Sequence, residues 1–376
     1  MQITAIRCQR LVLPLDPPFD AAWDPQPRRS FEATLVRVET DAGLVGIGSG
    51  DTMAGFDEFV SGFVGREALA IERHARALET ISFHAGRYWP LEAALWDLLG
   101  KACGCSVATL LGGAVDALPA YASWGSLKDP GQRAEDAQAL VEAGFRAVKV
   151  RIARDAIDLG VAAVAAVRAA VGDQLDIIVD LNQWWRMPGD VARGMGPVEA
   201  RRVVERLRSF DVLWVEEPLP GEDRAGMRML RSQTGVRIGG GEMARTFDEL
   251  ALALSEDCLD VVQPDVVLAL GISGARTLAQ LALRRNRWFT PHTWTNGIGL
   301  LANLHVCAGV GGGPYLEFPF DPPGWTAERR DFMLASPVSV GRDGLVSVPD
   351  APGLGVVLDE EAVAFYARAA DEVGVP

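Results

Sequence analysis

The sequence predicts an α/β protein, a closed parallel barrel of βα units preceded by a small α+β unit. Three observations predict it. Between residues 118 and 320, short apolar β-runs alternate with amphipathic helical stretches, about eight times in about 200 residues, which fits a closed barrel better than an open sheet. Several of those runs stop at a polar residue: Asp180 in IIVDLN, Glu216 in VLWVEEP, Glu242 in RIGGGE, Asp265 in VVQPD and His292 in FTPH. A parallel barrel gathers such strand ends at one mouth. Parity agrees, because side chains two apart on a strand share a face. Lys149 pairs with Arg151 in this way, Asp180 with Asn182, Glu216 with Trp214, Glu242 with Gly240 and Asp265 with Gln263. Glu217 falls on the opposite face.

Taken in order, residues 1–117 form the small α+β unit. An alternating strand covers 3–13. Residues 31–39 and 44–48 read as a hairpin around Asp41-Ala42-Gly43, where Asp and Gly supply the turn. Between the first strand and the hairpin, residues 16–30 (DPPFDAAWDPQPRRS) are rich in proline and polar groups and lack periodicity. They are either an exposed loop or a lid that carries Trp23, Arg28 and Arg29 over a pocket. LEAALWDLLGKAC, 91–103, has helical spacing, and Leu111-Gly112-Gly113 stops the helical region. The barrel, 118–320, has candidate strands at 119–123, 147–150, 177–181, 212–215, 237–240, 260–263, 288–290 and 315–317, with helices such as 131–143 and 197–210 between them. The segment 321–376 ends in short strands and turns (VSVGRDGLVSVPD) and a last helix, and is expected to fold back on the first unit.

Composition narrows the function. Fifty acidic against 36 basic residues leave a net charge of −14, which repels nucleic acid and anionic membranes. An anionic substrate would need locally placed cations. The five cysteines (Cys8, Cys103, Cys105, Cys258, Cys307) are odd in number and include no CxxC, which points to a reducing cytoplasm instead of a disulfide framework. Cys103-Gly-Cys105 sits at the end of an apolar helix, where small thiols pack. The first residues read as a strand without the apolar core of a signal peptide. The most apolar helix, 160–171, is interrupted by Arg168 and too short to span a bilayer, so no membrane partner is expected.

The polar strand ends suggest chemistry. Asp180, Glu216 and Glu242 converging at one mouth call for a cation, and three carboxylates without Cys or His suit Mg²⁺, with Mn²⁺ as the alternative. The competing explanation makes them separate helix N-caps. A carboxylate on one imidazole nitrogen raises the basicity of the other, so Asp265 would make His292, beside Thr293 and Trp294, a general base. Lys149 and Arg151 are the strand-end cations opposite. Lys149 could be a base with a pKa lowered by a metal, or a donor to an oxyanion. Arg151 stays protonated and would clamp a carboxylate or hydroxyl. Glu317, if protonated, could donate to a substrate carboxylate; otherwise it is an ordinary loop acid.

These segments resemble the enolase superfamily, and within it the mandelate racemase group. The resemblance spans almost the whole chain. LEAALWDLLGKACGCSVATLLGG is similar to that family's capping-domain helix, AVKVR to its lysine strand, and VDLNQ, WVEEP and GGGE to its metal-ligand strands. QPD and PHTW resemble its Asp–His strands, and LEFPF its last strand. It implies a modified TIM barrel, (β/α)7β, whose capping domain is built from the N-terminal segment and the C-terminal tail. It implies Mg²⁺ on Asp180, Glu216 and Glu242, and abstraction of the proton α to a carboxylate. His292 with Asp265 would be the acid/base pair, Lys149 a neighbour of the substrate carboxylate, Glu317 an electrophilic donor, and Asn182, Trp23 and Trp294 substrate contacts. It also implies a homo-oligomer. One departure matters. The racemase pattern is K-x-K, and here the second position is Arg151, which leaves His292 as the obvious base. One base favours dehydration of an aldonic or aldaric acid, with an epimerase or a lactone or anhydro-sugar-acid cycloisomerase as the alternative. Residues 186–196 also lengthen the loop after the third barrel strand.

Overall fold

The computed structural model describes residues 1–50 and 52–372. Three antiparallel strands, β1 (Ile3–Phe19), β2 (Arg28–Thr40) and β3 (Val45–Gly50), form a sheet in that order. The helix Trp89–Cys103 lies on it so closely that a Cβ at Gly46 or Gly48 would meet the carbonyl oxygen of Ala94 or Pro90 at 2.1 Å. The glycines of VGIGSG are therefore a packing requirement between helix and sheet.

Eight parallel strands follow: β4 (Ala117–Ser123), β5 (Ala147–Arg151), β6 (Asp176–Asp180), β7 (Val212–Glu216), β8 (Ile238–Gly240), β9 (Val261–Val262), β10 (Trp288–Phe289) and β11 (Leu316–Pro319). Their pairing runs from β10 through β9, β8, β7, β6, β5 and β4 to β11, a curled parallel sheet. Seven α-helices connect these eight strands among the described residues, the (β/α)7β order. Apolar side chains on the outer face of the sheet, such as Val148, Val150, Val179 and Val215, pack against those helices. Inside the barrel a second small cluster of Tyr121, Ile178, Trp214 and Val261 makes an apolar floor beneath the mouth.

The cap and the barrel are stapled by buried acids. Glu92 accepts from the backbone N–H of Ile272 at 2.7 Å and of Ser273 at 3.1 Å, at the start of the barrel helix Gly271–Arg284. Asp97 accepts from Ile47 N and Leu354 N, both at 2.8 Å, and so ties hairpin, cap helix and tail together.

Three expectations need correction. β1 runs on to Phe19, whose register partner is Arg28, so the irregular segment shrinks from 16–30 to 20–27. Two extended strands there satisfy each other's backbone groups, which composition cannot signal. The tail is not wholly a cap element, because β12 (Leu345–Ser347) pairs antiparallel with β4. Its later part does return to the first sheet, with Arg37 and Glu360 at 2.6 Å; residues 373–376 lie outside the described residues. Finally, 160–171 is not the run that comes nearest to a bilayer span. The continuous helical run Val266–Arg284 is long and apolar enough to cross a bilayer by length and composition, but its Ile272, Ala275, Leu278, Ala279 and Ala282 are buried in the fold.

Candidate active site

Strand register sets the site. Arg151 lies beside Asp180 and Asp180 beside Glu216 across β5, β6 and β7. Side-chain oxygens of Asp180, Glu216 and Glu242 come within 4.8 Å of one another, and all three residues are buried. None of the three is a helix N-cap. The caps of the neighbouring barrel helices are Asp129, Asp223, Thr246 and Asn296.

Cations and donors surround the triad. Lys149 Nζ lies 2.8 Å from Glu216 Oε1, 2.6 Å from Glu317 Oε1 and 3.5 Å from Asp180. Arg151 donates to Asp180 at 2.5 Å, to Asn182 Oδ1 at 2.7 Å and to the carbonyl of Trp124 at 2.9 Å. Gln263 donates to Glu216 Oε2 at 2.8 Å, and the indole of Trp185 to Glu242 Oε1 at 2.6 Å. Glu242 Oε2 is buried without a hydrogen-bond partner. An all-oxygen acidic set with one unsatisfied buried oxygen fits a hard divalent cation such as Mg²⁺.

Asp265 and His292 lie beyond β9 and β10. Asp265 Oδ2 is 3.0 Å from His292 Nδ1, while its Oδ1 accepts from the backbone N–H of Val267 and Leu268. The aspartate thus caps the next turn with one oxygen and fixes the imidazole with the other. That leaves Nε2 of His292 facing Glu242 Oε2 at 3.4 Å.

The charges shift one another. Burial would lower His292, but Glu242, Glu317 and Asp265 outweigh it and raise it to about 9. Burial pushes Glu216 up to about 8 despite Lys149. Burial also works against Lys149, yet Glu216 and Glu317 raise it above the ordinary lysine range; the lowering expected from the sequence belongs to a metal-loaded site, and the carboxylates alone act the other way. Glu317 differs as well. Burial would raise it, but Lys149, His292 and Arg151 hold it at about 2. Its oxygens accept from Lys149, Ser123 Oγ (2.7 Å) and Thr293 N (3.0 Å), surroundings that suit an ionised acceptor better than the neutral donor anticipated.

A cavity of about 250 Å³ opens over this floor. Trp23, Phe31, Trp185 and Trp294 wall it, with Arg28, Arg151, Glu242 and His292 among its polar groups. Trp23 sits over the Arg151 guanidinium at 4.3 Å and edge-on to Trp294 at 4.8 Å. Arg29 is exposed and does not line the cavity. Asn182 accepts from Arg151 and lines an adjoining cavity shared with Trp23 and Trp185.

Sequence reasoning missed Trp185, Gln263, Ser123 and Glu217. Glu217 follows the end of β7 with a φ of 46°, so strand parity no longer applies to it. It is buried, and burial with Glu242 and Asp180 nearby pushes its carboxyl well up.

Comparison with known proteins adds to this geometry. A family model described as "Enolase C-terminal domain-like" matches residues 132–362, and one described as "Mandelate racemase / muconate lactonizing enzyme, N-terminal domain" matches 11–112. A D-galactarolactone cycloisomerase from Agrobacterium fabrum is 29% identical, over 97% of this chain and 99% of its own. An L-talarate/galactarate dehydratase from Salmonella typhimurium is 28% identical, over 78% of this chain and 66% of its own. A crystal structure of a racemase from Streptomyces coelicolor with bound magnesium superposes with a TM-score of 0.82 at 27% identity, covering 97% of this chain and 99% of that one.

Proposed function

Because the chain belongs to the mandelate racemase/muconate lactonizing enzyme family of the enolase superfamily, we propose that it removes the proton α to the carboxylate of a sugar acid and expels the oxygen on the neighbouring carbon. The observation that carries this reading is that His292, oriented by Asp265, is the one imidazole among the described residues lining the cavity, which it shares with an arginine at position 151.

In the neutral imidazole, with its proton held on Nδ1 by Asp265, Nε2 presents the lone pair that takes the α-proton. The C–H electrons move into the carbon–carboxyl bond and a second negative charge grows on the carboxylate. Lys149, kept as an ammonium by its carboxylate neighbours, would supply positive charge toward it from beside the acidic triad. Asp180, Glu216 and Glu242 would hold a Mg²⁺ ion, which supplies positive charge where the oxyanion develops. Arg151 does not accept protons, so it orients Asp180 and Asn182 and forms a wall of the cavity. The imidazolium then returns its proton to the departing β-oxygen, and the enol left behind tautomerises to a 2-keto-3-deoxy acid. The leading reading is dehydration of an aldonate or aldarate. Ring opening of a sugar-acid lactone or anhydro sugar acid is the second, favoured by the end-to-end match to the cycloisomerase and by aromatic walls that suit the C–H face of a compact ring. The free cysteines support a cytoplasmic setting.

Incubation with a library of aldonates, aldarates and their lactones plus Mg²⁺ should yield a 2-keto acid. Loss of one water marks dehydration; an unchanged mass marks ring opening. His292→Asn should lower turnover by about 10³-fold or more with the fold intact. Full activity in that variant removes His292 as the base, and α-proton exchange with deuterium but no elimination would point to an epimerase.

A further inference from the structure

The loop after β6 carries a residue to which the reaction above gives no task. Trp185 donates its indole N–H to Glu242 Oε1 at 2.6 Å. The other oxygen, Oε2, lacks a hydrogen-bond partner and is the one turned toward His292. A glutamate side chain has several rotamers, and either oxygen could face an ion. Here the indole occupies one oxygen and leaves the second for the site.

The loop is pinned so that this donor stays in place. Trp184 is buried between Gly221 and Gly240: a Cβ at Gly221 would meet its indole nitrogen at 2.3 Å, and one at Gly240 its ring at 3.0 Å. Asp190 pairs with Arg154, on the turn after β5, and with Arg186 at 3.3 Å. Gln183 Oε1 accepts from Met195 N at 3.3 Å and closes the loop on itself. Trp185 also lines both cavities.

We infer that Trp185 is the positioning residue of the third carboxylate, and that through it the loop 181–196 sets how tightly the site holds a divalent cation. This rests on the reading of Asp180, Glu216 and Glu242 as the ion's ligands. The bond is worth having because hydrogen-bonded neighbours of metal ligands fix ligand orientation, and their loss commonly weakens metal binding at least tenfold.

The test is calorimetric titration of the metal-free full chain with MgCl₂, beside Trp185→Phe and a chain carrying 3-benzothienylalanine at 185, an indole isostere without the N–H. Both altered chains should bind Mg²⁺ about 10-fold more weakly than the parent while melting at the parent's temperature without metal. Parental affinity in the benzothienyl chain overturns the inference, even if Trp185→Phe is weakened, because packing alone would then explain the effect. If Trp185→Phe fails to fold, the isosteric chain decides alone. Glu216→Gln separates the premise: if it binds Mg²⁺ as the parent does, or if the parent binds none, the ligand assignment falls and the role of Trp185 with it.

Discussion

Two sets of buried acids can be set side by side. Glu92 and Asp97 on the cap helix, and Asp180, Glu216 and Glu242 at the barrel mouth, are all 2% exposed or less. Their partners differ. Both oxygens of Glu92 are taken by backbone N–H groups, and Asp97 is met by two backbone N–H groups and by Lys101 at 2.7 Å. At the mouth the partners are mainly side chains, the acids crowd one another, and Glu242 keeps an unpaired oxygen. A carboxylate saturated by backbone is a joint, because buried groups are stable only when their hydrogen bonds are complete. A carboxylate left incomplete beside others of its charge costs stability, which a bound cation repairs. Burial alone does not separate the two; saturation does.

The contrast can be broken most directly at its open end. Glu242→Gln should lower turnover by about 10³-fold, losing much of the electrostatic stabilisation of the oxyanion, and leave the metal-free melting temperature equal to or above the parent's. A fall in stability of the kind expected at the cap would place Glu242 among the joints. At the closed end, Glu92→Gln should cost about 2 kcal/mol in urea unfolding, as the amide nitrogen turns a donor toward one of the two N–H groups. Turnover per folded molecule should stay near the parent's, and a specific loss of activity would contradict the distinction.

Metal and pH sharpen it further. His292 and Glu216 are raised in the folded chain, to about 9 and about 8. A raised folded value stabilises below the unfolded value and is lost as pH rises through the folded one. The metal-free protein should therefore lose stability as pH climbs from 4.5 toward about 8 through Glu216 and from 6.5 toward about 9 through His292, and Mg²⁺ should oppose that loss by taking the place of the protons. Melting curves with Mg²⁺ or with chelator would show this as a Mg²⁺-induced rise larger at pH 9 than at pH 6; equal rises would argue against a shared charge cluster. The smallest effect belongs to a charge in neither set. Arg7→Ala removes an exposed pair with Glu39 on the cap sheet, and neither melting temperature nor turnover should change measurably.

Much of this was legible beforehand. The period-2 runs ending in Asp180, Glu216 and Lys149-x-Arg151 are real strands, and their parity brings these residues to one mouth as expected. Parity failed where the strand did: Glu217 sits past the end of β7 with a left-handed backbone, and so remains buried near the acids it was expected to avoid. The segment 16–30 misled because its prolines and polar residues hide extended pairing as far as Phe19. Glu92 and Asp97 were read only as parts of an apolar helix, since their partners Ile272, Ser273 and Leu354 are far away along the chain.

By itself, then, the sequence determined the order of strands and helices and which polar side chains arrive at the barrel mouth, because both follow from local periodicity. The tertiary structure alone decided the partners of Glu317, the saturation of Glu92 and the indole grip of Trp185 on Glu242. Each of these depends on a partner supplied by a distant segment, and no local period records which donor a carboxylate will meet.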